Sequence, residues 1–97
     1  MTQQYSDKRR GQRILTALPV FLKSVQGITR DVSVSGVYFL IPVASCRLGE
    51  LINFSVEFHR REGKLVLKCQ GDVVRTEPRV TDFGVAVRII DSAMVMV

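Results

Sequence analysis

The 97-residue chain has no tryptophan, one histidine, two cysteines, three prolines and no long apolar run, and each shortage closes off a class of function. Its longest clearly apolar stretches, Val37 to Val43 and Val85 to Ile90, are strand-sized, well short of the ~20 residues a membrane-spanning helix requires. Met1 to Asp7 is polar and no apolar stretch follows it, so no secretory leader is expected and the chain reads as cytoplasmic. Cys46 and Cys69 lack a C-x-x-C spacing and a neighbouring histidine; each falls in or beside an apolar stretch, where free cysteine behaves as a small hydrophobe. Metal and redox chemistry are therefore not expected. His59 lies beside Arg60 and Arg61 in what reads as a hairpin tip, a solvated position. With no histidine or cysteine at catalytic spacing from a second titratable group, no paired carboxylates and no phosphate-cradling glycine loop, no enzyme is expected. Nucleic acid is not an expected partner. Of Tyr5, Tyr38 and five phenylalanines, most sit at alternating core positions, whereas RNA and DNA sites stack bases on exposed aromatics.

What is present is a high apolar content, 46%, enough for one small core and too evenly spread for a disordered tail. The spacing is that of strands. Ile14 to Lys23 is interrupted by Pro19, which suits an edge or bulged strand and not a helix interior. Ser24 to Arg30 alternates, and Val37 to Ile41 is a β-branched and aromatic run closed by Pro42. Leu51 to Phe58 sets Ile52, Phe54, Val56 and Phe58 on one face against Asn53, Ser55 and Glu57 on the other. His59 to Lys64 reads as a hairpin turn, Leu65 to Arg75 and Phe83 to Ile90 as two further strands, and Thr76 to Asp82 as their connection. Six strands without helical crossovers predict an all-β fold, a small six-stranded antiparallel β-barrel, since closure removes exposed edges. The expected layout is a single domain over 1–97, with a flexible basic segment at 1–13, the barrel over 14–90 and an apolar C-terminal end at 91–97. That end is too short for a stable helix, and its five apolar residues from Ala93 to Val97 leave two options open. They either plug the barrel or belong to a packed element that continues.

Charge is concentrated at one place. Four of the fourteen cationic side chains, Lys8, Arg9, Arg10 and Arg13, fall within six residues, which implies an anionic partner. Arg9 and Arg13 are four apart and share a side in a loop or a single helical turn, and a guanidinium can fork to phosphate oxygens or to the O6/N7 edge of guanine. Downstream, Asp31, Ser33, Ser35 and Gly36 supply a carboxylate, two hydroxyls and a backbone turn. Asp31 and Ser33 are two apart and point to one side of an extended segment, with Val32 and Val34 pointing to the core. Gly36 is expected to take a positive φ. A carboxylate there can accept from N1–H and N2–H of guanine, a donor pair adenine lacks.

Arg9-x-x-x-Arg13 followed by Asp31-x-Ser33-x-x-Gly36 resembles the two-part signature of PilZ domains, bacterial receptors for cyclic di-GMP. Gly71 to Arg75 and Phe83 to Val87 resemble that family's last two core strands, so the likeness runs over roughly residues 8 to 90. It implies a PilZ-like split barrel and a receptor or adaptor role in second-messenger signalling, with cyclic di-GMP as ligand and no cofactor. It assigns Arg9 and Arg13 to guanine and phosphate. A basic residue just before the first motif arginine, here Lys8, implies an intercalated pair of nucleotides in place of one. A downstream protein partner is also implied. The chain departs from the family in one respect: PilZ domains commonly finish with a helix over the barrel mouth, and here little or no C-terminal helix is expected.

Overall fold

A computed structural model describes residues 17–97, and among them there is no helix. Six strands form: β1 (Pro19–Phe21), β2 (Gln26–Val32), β3 (Gly36–Ile41), β4 (Leu51–Arg60), β5 (Gly63–Pro78) and β6 (Phe83–Met96). They pair antiparallel in the order β1-β2-β3-β6-β5-β4, and β4 returns to β1 through Val20 opposite Val56, closing the barrel.

Alternation along each strand sends one set of side chains inside. Val20, Val37, Phe39, Ile41, Ile52, Phe54, Val56, Cys69, Val73, Val85 and Val87 are buried together, and the rings of Phe39 and Phe54 meet at 5.6 Å between centroids. Burying a valine, isoleucine or phenylalanine contributes ~1.5–3 kcal/mol, so this cluster holds the barrel without a disulfide. Both cysteines are free and buried. Burial pushes the Cys69 thiol up to about 11 and raises that of Cys46, so neither is a thiolate at neutral pH, in keeping with a packing role.

Several local features are set by register. Thr29 faces the core of β2; its hydroxyl accepts from the Leu18 N–H at 3.0 Å while its own N–H donates to the Leu18 carbonyl, which fastens the chain entering β1. The turn between β4 and β5 shrinks to Arg61 and Glu62, because pairing runs out to Arg60 opposite Gly63. The apolar end does not fold back as a plug. Residues 91–96 continue β6, paired with Leu65 to Gln70 of β5. Asp91 and Ser92 break the apolar run without breaking the strand, since a strand outside the barrel has no buried face to require one.

Candidate functional site

Lys8, Arg9, Arg10 and Arg13 lie outside the described residues. The other half of the motif forms the turn between β2 and β3. Ser33 N–H donates to the Gly36 carbonyl at 2.9 Å, and the Ser33 hydroxyl both accepts from the Gly36 N–H and donates to its carbonyl, each at 3.2 Å. The Ser35 hydroxyl sits 3.4 Å from that of Ser33. A serine hydroxyl satisfying its own turn is common, and here these bonds close the turn between β2 and β3.

Asp31 reaches this rim because of a bulge. Thr29 pairs with Phe39 and Asp31 with Tyr38, so Arg30 is an extra residue on β2. Without it Asp31 would follow Thr29 inward, two residues on. The bulge turns Asp31 to the outer face beside Tyr38 and leaves Val32 buried. Val34, expected in the core, is instead 76% exposed at the tip of the turn, where strand alternation has ended. Gly36 also differs from expectation. Positive φ among the described residues occurs at Gly49 and Gly63, not at Gly36. What position 36 requires is the absence of a side chain: a Cβ there would sit 2.9 Å from the Val87 carbonyl oxygen, where β3 meets β6.

Asp31 and Ser33 line one shallow depression of about 250 Å³ with Gly36, Tyr38, Arg75 and Ala86. A larger hollow of about 560 Å³, lined by Lys23, Asn53, Lys68 and Asp91 among others, lies apart from the motif. The motif depression differs from it in chemistry. In the motif depression the Arg75 guanidinium lies 5.4 Å from the centre of the Tyr38 ring, and the Tyr38 hydroxyl donates to Glu77. Tyr38 crosses the sheet over Gly84, where a Cβ would collide with the phenol. Burial first, then the Glu77 hydrogen bond and charge, push the phenol pKa up against the opposing pull of Arg79 and Arg75. Arg88 is differently employed, held at 2.7 Å by Asp72.

Tyr38, Arg75 and Glu77 were not expected at the site. Arg75 and Glu77 are on β5, and only the β3-β6-β5 order brings them across β6 to Tyr38. Their sequence signal was faint: Arg75 closes a strand-like run, and Glu77, which reads as part of the connection after it, lies on β5 because that strand runs on to Pro78.

Profile comparison matches the PilZ domain family over residues 7–95, most of the chain. The chain belongs to the PilZ domain family. No curated protein matches by sequence. Among solved structures the fold is similar to the Bacillus subtilis inhibitor of motility, MotI/DgrA, with a TM-score of 0.73 at 15% identity over 90% of this chain. The chain spans 44% of that protein's length, and the likeness is one of fold. PilZ membership makes this a receptor or adaptor type of domain, and the chain carries the six-stranded barrel without the family's usual terminal helix among its described residues.

Proposed function

We propose that this PilZ domain is a cytoplasmic receptor for cyclic di-GMP, gripping it through Arg9-x-x-x-Arg13 and Asp31-x-Ser33-x-x-Gly36 and passing the signal to a protein partner. The observation that carries this reading is the convergence of Asp31, Ser33 and the Arg75-capped Tyr38 ring on one depression in a chain of this family. Asp31 is suited to accept from the guanine N1–H and N2–H. Arg75 adds a cationic plane beside it, suited to stacking on a base or forking to phosphate.

The depression, at about 250 Å³, is smaller than the ~300–1,000 Å³ of sites that enclose a drug-sized ligand. It suits one base edge, and the remainder of a cyclic dinucleotide falls to Lys8, Arg9, Arg10 and Arg13. Two stacked nucleotides bring four phosphates together, and these four cations match that charge.

Calorimetric titration with cyclic di-GMP tests the reading. Binding is expected, with Arg13→Ala weakening it roughly ten- to a hundredfold, since hydrogen bonds to charged groups contribute ~1.5–3 kcal/mol. Cyclic di-AMP should bind far more weakly, and Asp31→Ala should narrow that gap. Two nucleotides per chain are expected at saturation, with Lys8→Ala moving the ratio towards one. No binding at ~100 μM ligand would leave a PilZ barrel that acts as an adaptor without nucleotide.

A further inference from the structure

Among the described residues, β6 has two neighbours for half its length and one for the rest. Its β5 side is paired from Phe83 opposite Pro78 out to Met96 opposite Leu65. Its β3 side is paired only from Phe83 to Arg88, with one further bond from the Ile89 N–H to the Ser35 carbonyl at 3.0 Å. From Ile90 to Met96, no strand among the described residues pairs with this edge.

Natural sheet edges are guarded by lysine, proline or bulges because an open row of N–H and C=O groups recruits other strands. This edge is poorly guarded. Ile90 to Met96 contains no lysine and no proline, and its only charge is Asp91. A register shift at Ile90 disturbs its inner end and leaves Asp91 to Met96 regular. Ile90, Met94, Val95, Met96 and Val97 are all exposed apolar residues of this end, and Val34 projects from the turn beside Ile89.

We propose that this edge pairs with the same edge of a second copy of the chain, antiparallel about a two-fold axis at Ala93. That register sets Ile90 opposite the partner's Met96, Asp91 opposite the partner's Val95, and Ser92 opposite the partner's Met94. Each contact occurs twice, as a two-fold requires, and no like charges meet. Centring on Asp91 would instead put the two carboxylates face to face. In antiparallel strands opposed residues share a face, so Met94 and Met96 of both copies extend one apolar surface with Leu65 and Leu67 of each β5. A nearly uncharged, self-complementary edge fits its own copy better than a charged guest. The three strands β4-β5-β6 of each copy become one six-stranded sheet joining two barrels, a geometry that leaves Asp31, Tyr38 and Arg75 on the barrel wall.

Sedimentation equilibrium of the 97-residue chain tests this between ~1 and ~100 μM. Dimer is expected at the upper end. Ala93→Lys places two ammonium groups at the axis and should raise the dissociation constant at least tenfold. Val95→Lys brings each new ammonium opposite the partner's Asp91 and should leave the constant within about threefold, since exposed ion pairs contribute little. Both positions are exposed, and matching thermal unfolding of dilute parent and variants confirms the fold. In the parent, amide exchange over 90–96 should slow with concentration, a readout that needs no variant. A parent monomeric at ~100 μM, open-ended larger assemblies, an Ala93→Lys chain that dimerises like the parent, or a Val95→Lys chain that dissociates as readily as Ala93→Lys would each overturn the proposal.

Discussion

β6 is two strands in one. Between Phe83 and Arg88 it lies between β3 and β5, and Val85 and Val87 are buried at 0% and 2% exposure. Between Ile90 and Met96 it pairs, among the described residues, with β5 alone, and Met94 and Met96, apolar and larger than those valines, are more than half exposed. The side chains differ little in hydrophobicity. The second neighbouring strand, β3 with Phe39, and the interior it shares with Phe54 of β4 decide whether an apolar residue is removed from water. Burial here is a property of barrel closure, and stability should be distributed accordingly along one continuous strand.

The sharpest way to break this contrast is to empty the closed half. Phe39→Ala should cost about 3–5 kcal/mol, because it removes a fully buried ring and its contact with Phe54. Urea unfolding of the variant measures it, and a loss below ~1 kcal/mol would mean the barrel repacks freely. Gly36→Ala attacks the seam where β3 meets β6. With the Val87 carbonyl 2.9 Å from the new Cβ, backbone must give way, and about 1–3 kcal/mol should be lost in the same measurement.

A third test uses pH. The Cys69 thiol is raised from 9.0 to about 11 by burial, so its folded pKa exceeds its unfolded one. The folded state then holds its proton more tightly. The associated stability is complete below pH 9 and is lost as pH rises through 11, amounting to about 1.4 kcal/mol by pH 10. Cys69→Ala should flatten that part of the stability profile relative to the parent, whatever its cost at pH 7; an unchanged slope would mean the thiol is hydrated. The smallest effect belongs to the outer half. Met96→Ser, measured in dilute solution, should change stability by no more than about 0.5 kcal/mol. A loss comparable to that of Phe39→Ala would erase the distinction between the two halves of β6.

The strands were legible because alternation of apolar and polar residues is a direct consequence of a half-buried sheet. Ile52, Phe54 and Val56 could be sorted to one face by counting. The end of β6 was not, since Asp91 and Ser92 interrupt the pattern that elsewhere marks a strand. The bulge was hidden for a related reason. Arg30 is an ordinary exposed residue whose insertion becomes visible only against the register of β3, and it reverses which side of β2 Asp31 occupies. Counting by twos put Asp31 and Ser33 together and sent Val34 to the core; the structure keeps the first and denies the second.

By itself the sequence determined the class of fold, the number of strands, most of the buried residues and the location of the Asp31-x-Ser33-x-x-Gly36 turn, because each depends on residues close together in the chain. Tertiary structure alone decided that Tyr38 and Arg75 meet beside that turn with Glu77 on the phenol, that Gly36 is there for want of space and not for an unusual φ, and that residues 91–96 continue β6 past the end of its pairing with β3. Those outcomes depend on which strands become neighbours. Strand order in a closed barrel follows from how all six pack at once, and no local pattern carries that information.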